Sequence, residues 1–320
     1  MNERKLTGLD YVQFLLGSQK SYSALEGEKV HPSGELSHDS ITRLLQRGEE
    51  GAEDLWLEAK DFVVGQSGVL IVDDTTLDKP YSRSMLPVCW HWSGKHHRVV
   101  RGINLVSLLW SDGDSHIPCD YGVFDKGVRT KNEIFQDMLL RAKDRGIVPE
   151  YVLFDSWYSS SENLRIIGKD YGWLFLTRLK SNRKVRVGEV YFKVSDLNEG
   201  VHKVWLKEFG NIKVFVVIQH GEASYWATND LNMDELQRLK YADAGWKIEE
   251  YHRGLKQFCG VERCHHRSRI AQETHIGFAI RAFLRLERFC YRTGISWFNA
   301  KTDIIRRAVT AYWAQPSIVF

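Results

Sequence analysis

The sequence predicts an α/β fold with a mixed sheet, a β-rich insertion, and helical amino- and carboxyl-terminal regions. Three observations lead to this prediction. Apolar strand-like runs alternate with amphipathic helical segments between residues 68 and 179. Residues 181–229 alternate polar and apolar side chains, as half-buried strands do. The first 65 residues and most of the chain beyond Leu231 have helical periodicity.

The amino-terminal region begins with a predicted helix over about 9–16 and continues to a second helix after Ser37. Ser37 is the expected N-cap, Asp39 lies in the first turn, and Gly48 ends the helix. A helix-turn-helix and an ordinary helical bundle segment both fit this pattern. The region carries 12 acidic and 7 basic side chains, which suits DNA poorly.

The central region supplies the expected sheet. We predict strands over 68–74, 99–110, 116–124, 151–155 and 173–179, and helices over 130–146 and 162–167. The predicted domains are a helical region 1–65, an α/β core 66–258 with an insertion at about 181–229, and a helical basic region 259–320. Residues 242–320 contain 13 basic and 7 acidic side chains. This excess of positive charge is typical of a protein that binds a polyanion, or of a charged face exposed to solvent.

Composition excludes several classes of protein. The 39 aromatic residues exclude a disordered chain, and no apolar run approaches the ~18 residues of a membrane span. The start of the chain lacks a basic-then-apolar leader, so we expect no signal peptide. Five cysteines without a CxxC pair predict reduced thiols and a cytoplasmic protein. Nucleotide-binding glycine loops and a Ser-His-Asp set are also missing from the sequence.

Acidic side chains at the ends of predicted strands indicate a metal site. Asp73 and Asp74 end the first strand, Asp155 ends a later one, and Glu249 lies on a predicted helix. Carboxyl ends of parallel strands meet at one sheet edge, and carboxylate oxygens are the ligands that Mg²⁺ prefers. Two such ions could activate water or a 3′-hydroxyl for phosphodiester displacement. The alternative is that these residues only form turns, caps and surface ion pairs.

Three segments resemble the catalytic blocks of DDE transposases of the insertion-sequence-four family. They are IVDDTTLDKP, VLFDSWYSSSENL and WKIEEYHRGLKQ, and the resemblance extends over about 68–258. It implies a ribonuclease-H-like core that holds two Mg²⁺ ions, with Mn²⁺ as a substitute. It also implies double-stranded DNA with terminal inverted repeats and target DNA as partners, a homodimer in the synaptic complex, and a bacterial, nucleoid-associated location.

The resemblance also implies roles for individual residues. Asp74, Asp155 and Glu249 match the catalytic, metal-binding acids, and Asp73 is the rival of Asp74. Neighbouring residues of a strand point to opposite faces, and the sequence does not decide which of the two faces the site. Lys256 matches the family's lysine, seven residues after the glutamate.

Two positions depart from the family pattern. Gly245 stands where the family has an arginine, and Ala242 stands where it has a tyrosine, with Tyr241 one residue away. Arg253 follows Glu249 by one turn and could replace the missing guanidinium, or it could pair with a neighbouring glutamate.

Two basic clusters are candidate DNA contacts. Arg178, Lys180 and Arg183 lie in the segment TRLKSNRKVR, and Arg281, Arg285 and Arg288 recur on one face of a helix. Such side chains would contact phosphates. The alternatives are a solvated loop for the first cluster and surface ion pairs for the second.

We therefore expect a DDE transposase that nicks DNA at inverted repeats. The freed 3′-hydroxyl then attacks the opposite strand, giving a hairpin, or the target. A ribonuclease-H-like nuclease without strand transfer is the first alternative. A transposase-derived DNA-binding protein without catalysis is the second, although a retired site has no physical reason to keep three crowded carboxylates.

Overall fold

The computed structural model describes residues 6–82, 85, 87–93 and 97–316, so residues 1–5 and 317–320 of the two terminal regions lie outside it. The helices are α1 (Gly8–Gly17), α2 (Ala24–Val30), α3 (His38–Gln46), α4 (Ala52–Ala59), α5 (Lys131–Asp144), α6 (Ser161–Arg165), α7 (Glu235–Gly245), α8 (Lys247–Phe258), α9 (Arg269–Thr293) and α10 (Trp297–Ala314). The strands are β1 (Val69–Asp78), β2 (Cys89–Ser93), β3 (Arg98–Ser111), β4 (Ile117–Phe124), β5 (Tyr151–Phe154), β6 (Phe175–Arg178), β7 (Lys184–Val187), β8 (Val190–Lys193), β9 (Gly200–Leu206), β10 (Gly210–Gln219) and β11 (Glu222–Thr228).

The strands of the described residues form one 11-stranded mixed sheet, as predicted. Its order is β2-β3-β1-β5-β6-β11-β10-β9-β7-β8, and β4 pairs with β3. Strands β1, β5 and β6 are parallel neighbours. The predicted insertion continues the sheet from β6 through the antiparallel strands β11, β10 and β9. The fold class is therefore confirmed.

The chain folds as two compact units. One comprises Met1–Lys60, Thr76–Asn104 and Glu250–Phe320, and the other comprises Asp61–Thr75 and Leu105–Glu249. In the first unit, α9 packs against α1, α3, α4 and α10. In the second, the apolar strand β5 pairs with the fully buried residues Val69–Val72 at the start of β1. The division into three domains made from the sequence stays a prediction.

Helix α5 shows how the sequence sets its own boundaries. Thr130 is the N-cap: its hydroxyl accepts a hydrogen bond from the Glu133 amide at 3.1 Å. The Glu133 carboxylate in turn accepts from the Thr130 amide at 2.6 Å, which completes a capping box. The helix ends before Gly146, whose φ of +78° is a left-handed conformation that favours glycine. The helix predicted over 130–146 is confirmed.

Two local features differ from the prediction. Strand β2 was not predicted. The predicted helix over 162–167 is a short α-helix, α6, that continues as a wider turn over Ile166–Asp170. In that turn the Tyr171 amide donates to the Ile166 carbonyl at 3.0 Å, a spacing of five residues.

None of the helices in the described ranges combines the length and apolar character needed to cross a membrane.

We expect Thr130→Ala to lower the free energy of unfolding by about 1 kcal/mol, because it removes the side-chain half of the α5 capping box. Thr130→Ser keeps the hydroxyl and should remain close to the wild type. Urea denaturation followed by circular dichroism measures both variants. Equal losses in the two variants would contradict a role for the hydroxyl.

Candidate active site

The parallel pairing of β1 and β5 places two carboxylates side by side. Val72 is opposite Phe154 in the register, and Asp73 and Asp155 are the residues that directly follow this pair. Side chains alternate between the two faces of a strand. Asp73 therefore shares a face with Ile71, and Asp155 shares that same face with Leu153, the register partner of Ile71.

This face of the sheet forms one wall of a cavity of about 250 Å³. Asp73 and Asp155 lie on the sheet side of the cavity, and Glu249 at the start of α8 also lines it. The helical side of the lining further includes Tyr241, Ala242, Gly245, Trp246 and Ile248. Asp73 of β1, Asp155 directly after β5 and Glu249 of α8 therefore open into the same space.

Arg178 extends the row of polar side chains across the sheet. Thr177 is opposite Phe154, so Arg178 follows the register next to Asp155, and it is itself opposite Trp226. Both residues line the cavity, and the Arg178 guanidinium carbon lies 4.8 Å from the centre of the Trp226 ring. Arg238 of α7 lies 5.6 Å from a ring of the same indole. The cavity thus holds an exposed guanidinium beside three carboxylates.

The electrostatics of Asp73 reflect this crowding. Removal from water raises the pKa of Asp73 well above its usual range, and the charges of Asp74, Glu249 and Asp155 raise it further. A hydrogen bond from the Asp74 amide acts in the opposite direction. Repulsion between carboxylates at one site is relieved by a proton or by a bound cation.

Asp74 does not line this cavity. Its two carboxylate oxygens accept hydrogen bonds from the Tyr158 hydroxyl at 2.9 Å and from the Lys131 ammonium at 2.7 Å. Burial raises the pKa of Tyr158 well above its ordinary value, with the charge of Asp74 as the next cause, so the hydroxyl stays a donor. The Tyr158 ring stacks on Phe135 of α5 at 5.0 Å. Asp74 therefore belongs to the α5 side of the strand.

No group of three or more His, Cys, Asp or Glu side chains in the described residues is arranged as a ready metal site. The donor chemistry nevertheless fits a hard divalent cation. Asp73, Asp155 and Glu249 present carboxylate oxygens, the ligands that such cations prefer, to one cavity. The negative charges of Asp155 and Glu249 disfavour the ionised form of Asp73, and a bound cation would offset them.

The positions compared with the family's motif lie as follows. Tyr241 lines the cavity, and its hydroxyl donates to the Glu150 carboxylate at 2.8 Å. Gly245 faces Leu153, and a Cβ at this position would meet that side chain at an ordinary 3.9 Å. Lys256 donates to the Thr76 carbonyl at 2.7 Å and lies 3.6 Å from the Glu262 carboxylate. Arg253 is an exposed residue of α8.

The first basic cluster begins at the end of β6, the strand that pairs with β5. Lys180 is exposed, and its ammonium lies 5.2 Å from the centre of the Trp157 ring. Arg183 is half-buried and donates to the Ser161 hydroxyl at 2.8 Å. Arg178 is the last residue of β6 and lines the cavity, and Lys180 and Arg183 follow it in the chain.

The second basic cluster pairs with the acidic amino-terminal region. Arg281 forms ion pairs with Glu50 and Glu58, and Arg285 binds Glu58 at 2.9 Å. Side-chain exposure is only 16% for Arg281 and 4% for Glu50. Arg288 is half-buried, with its guanidinium carbon 5.5 Å from the Tyr291 ring. This geometry favours the ion-pair alternative, because phosphate contact by Arg281 would have to break buried pairs.

The sequence analysis did not identify the residues that donate hydrogen bonds to Asp74. Tyr158 and Lys131 were not predicted to bind Asp74. The position of Tyr158 three residues after Asp155 was an available signal, since a residue so close to a strand-end carboxylate lies in the turn beneath it. Lys131 carried no such signal because its approach to Asp74 requires the tertiary fold.

Residues 65–285 match the protein family described as "Transposase DDE domain", which is more than half of the chain. Seven solved chains are similar in structure. A structure described as the piggyBac transposase synaptic complex with hairpin DNA has a TM-score of 0.53 at 12% identity, over 99% of this chain and 74% of that one. A Drosophila P element transposase strand transfer complex has a TM-score of 0.33 at 11% identity, over 94% of this chain and 63% of that one. The chain has no significant match among curated proteins.

Glu50 provides a test of the ion-pair cluster in the first unit. Removal from water raises the pKa of Glu50 to about 7, and this outweighs the attraction of Arg281. Between its ordinary value of 4.5 and about 7, the folded state therefore holds a proton that the unfolded chain has released. The free energy of unfolding should therefore fall as the pH rises through this window. In Glu50→Gln this free energy should fall less over the same pH range, because the variant has no carboxyl group to titrate at this position.

The measurement is urea denaturation at about pH 5 and about pH 8. Glu49→Gln changes an exposed neighbour and should keep the wild-type pH dependence. Parallel pH profiles for Glu50→Gln and the wild type would contradict a buried, proton-binding Glu50.

Proposed function

The chain belongs to the transposase DDE domain family, and on that premise we propose that it catalyses cut-and-paste transposition of an insertion sequence of the insertion-sequence-four family. It would nick DNA at terminal inverted repeats and join the freed 3′-hydroxyl to target DNA. The observation that carries this proposal is the single cavity into which Asp73, Asp155 and Glu249 open. Three carboxylates in such an arrangement are typical of metal-dependent phosphodiester chemistry.

We assign the first metal-ligand position to Asp73 instead of Asp74. The register of β1 with β5 puts Asp73 on the face of Asp155 and the cavity, whereas Asp74 binds Tyr158 and Lys131. The motif resemblance alone favours Asp74, because that residue directly precedes the two threonines. The strand register supports the neighbouring residue.

Asp73, Asp155 and Glu249 would hold two divalent cations, Mg²⁺ with Mn²⁺ as a substitute. When bound, such ions activate an attacking water or 3′-hydroxyl and stabilise the leaving oxygen. Arg178, exposed in the same cavity, would hold a non-bridging oxygen of the scissile phosphate. The Trp226 ring beneath the guanidinium limits its movement, so that its charge is already in place when negative charge develops.

The proposed partners follow from this chemistry. Double-stranded DNA with inverted repeats would approach the end of β6, where Arg178, Lys180 and Arg183 follow one another. Arg253 and Lys256 of α8 are the other proposed contacts. We propose a homodimer that bridges two element ends, and a bacterial cytoplasmic, nucleoid-associated location when the protein is bound to DNA.

The assignment of Asp73 predicts an order among substitutions. With Mg²⁺ and a labelled duplex carrying the element's end, Asp73→Asn, Asp155→Asn and Glu249→Gln should reduce nicking below detection. Asp74→Asn should retain measurable nicking, lowered by about 10–100-fold, because it affects only the support of the site. Denaturing gels of the labelled strands measure the products.

The same assay decides the reaction class. Joined products in the wild type support transposition, whereas nicks without joined products support a nuclease. Complete loss in Asp74→Asn together with retained nicking in Asp73→Asn would reverse the assignment of the metal ligand. Specific binding without cleavage in either Mg²⁺ or Mn²⁺ would favour a binding protein.

Metal binding can be measured without DNA. Mn²⁺ that binds only the folded state should raise the melting temperature as its concentration increases. Asp73→Asn and Glu249→Gln should weaken this rise, while Asp74→Asn should keep most of it. Differential scanning fluorimetry with Mn²⁺ alone measures the shift, and Glu222→Gln at the exposed start of β11 is a matched control. Equal shifts in all variants would contradict a metal site in the cavity.

A further inference from the structure

Helix α7, which leads into α8 and Glu249, is not held to the sheet by a large apolar face. All residues of α7 are described, and the only one of them that is buried is Arg238. Leu236 and Leu239 are 77% and 46% exposed. A helix on the surface of a protein is normally positioned by the burial of such leucines against the core. The position of α7 must therefore depend mainly on other contacts.

The helical segment runs in step with β5. Three residues spaced by two along β5 correspond to three residues spaced by four along α7 and α8: Tyr151 to Tyr241, Leu153 to Gly245, and Asp155 to Glu249. The tyrosine ring centres are 4.2 Å apart, a Cβ on Gly245 would lie 3.9 Å from Leu153, and both carboxylates line the cavity. Two strand residues span about 6.6 Å and four helical residues about 6 Å, so the correspondence persists along the segment. Trp246, between the helices, keeps a right-handed helical conformation.

Two crossed hydrogen bonds fix the tyrosine pair at the start of this correspondence. The Tyr151 hydroxyl of β5 donates to Asp230, in the loop before α7, at 2.6 Å. The Tyr241 hydroxyl of α7 donates to Glu150, directly before β5, at 2.8 Å. Burial, followed by these hydrogen bonds, raises the pKa of both tyrosines, to about 12 for Tyr241, so both hydroxyls remain donors. Each bond joins the strand to the helical segment.

The two acceptors are themselves held by the backbone. Glu150 accepts a second hydrogen bond from the Gly68 amide at 3.3 Å, and its own amide donates to the Gly68 carbonyl at 2.8 Å. Asp230 accepts from the Asn232 amide at 2.9 Å, and its amide donates to the Thr228 hydroxyl at 3.0 Å. The tyrosine hydroxyls therefore bind acceptors whose positions are set by the residue before β1 and by the last residue of β11.

We propose that Tyr151 and Tyr241 are positioning residues that fix the register of α7 against β5 and thereby place the Glu249 carboxylate beside Asp155. Each hydroxyl binds an acid of this chain, so its effect on the cavity passes through the helix that carries Glu249. A slip of the helix by one residue would move Glu249 by about 1.5 Å and turn it by about 100°, away from the cavity. This inference rests on the proposed function, because it takes Asp155 and Glu249 as metal ligands.

The test measures Mn²⁺ binding by the full chain without DNA, using differential scanning fluorimetry. Tyr151→Phe and Tyr241→Phe remove only the hydroxyls. Each should raise the Mn²⁺ concentration that gives half of the maximal shift in melting temperature by about tenfold, because residues that orient metal ligands affect affinity to this extent. The melting temperature without metal should fall by at most about 4 °C, as expected when one hydrogen bond is lost. A purely structural role would change only the second quantity.

Two controls accompany these variants. Glu150→Gln keeps a polar group that can bond to the Tyr241 hydroxyl and should stay within about threefold of the wild type. Tyr191→Phe removes the hydroxyl of a 52% exposed tyrosine of β8 and should leave the Mn²⁺ dependence unchanged. The same Mn²⁺ dependence in the wild type, Tyr151→Phe and Tyr241→Phe would overturn the proposal.

Nicking of DNA distinguishes a positioning residue from a catalytic one. At saturating Mn²⁺, Tyr151→Phe and Tyr241→Phe should nick DNA within about threefold of the wild-type rate, because the Glu249 carboxylate is displaced but still present. Glu249→Gln should not recover at any Mn²⁺ concentration. A loss of nicking in the tyrosine variants that saturating Mn²⁺ does not restore would contradict the positioning role.

The outcome is separable from that of the proposed function. Normal nicking by the wild type, together with an unchanged Mn²⁺ dependence in Tyr151→Phe and Tyr241→Phe, would overturn the positioning role alone. Mn²⁺ binding that depends on the two hydroxyls, in a protein that never nicks DNA, would overturn the transposase proposal and keep the positioning role. A wild type whose melting temperature does not respond to Mn²⁺ would overturn both.

Discussion

The parallel pairing of β1 with β5 is the constraint on which the candidate site depends. Val72 is opposite Phe154, so the pairing brings the next residue of each segment, Asp73 and Asp155, close together. The pairing is itself stabilised by burial, because Val69–Val72 and Tyr151–Phe154 are buried. A shift of one residue in this register would turn one carboxylate away from the other. Buried apolar residues thus determine the spacing of the carboxylates proposed to bind metal.

The uneven distribution of charge in the sequence has a structural explanation in the first unit. Acidic residues from the amino-terminal region, Glu50 and Glu58, bind the basic helix α9 through Arg281 and Arg285. Counted along the sequence alone, the basic carboxyl-terminal region resembles a DNA-binding segment. In the fold, part of its positive charge is neutralised by acidic residues of the amino-terminal region. Burial of this cluster also lowers the stability of the fold, because Oε1 of Glu50 is buried without a hydrogen-bond partner among the described residues.

The sequence predicts local elements well and the direction of single side chains poorly. Ser37 and Thr130 cap helices as expected, because an N-cap acts over three residues and is visible in the sequence. The choice between Asp73 and Asp74 was open, since alternation says that they face opposite ways but not which face meets Glu249. That depends on where α7 and α8 pack. Strand β2 was missed because CWHWS has no clear alternation, and its pairing with β3 is a tertiary contact.

Two adjacent carboxylates at the end of one strand are unfavourable unless each has a compensating partner. On one face, Asp74 has Lys131 and the Tyr158 hydroxyl, and Asp74 and Lys131 are each only 19% exposed. Asp73 has neighbouring negative charges on its face, and a divalent cation would relieve their repulsion. The lysine that neutralises Asp74 also lies against the Trp157 ring. One charge on α5 therefore contacts both the Asp74 carboxylate of β1 and the exposed aromatic residue that follows β5.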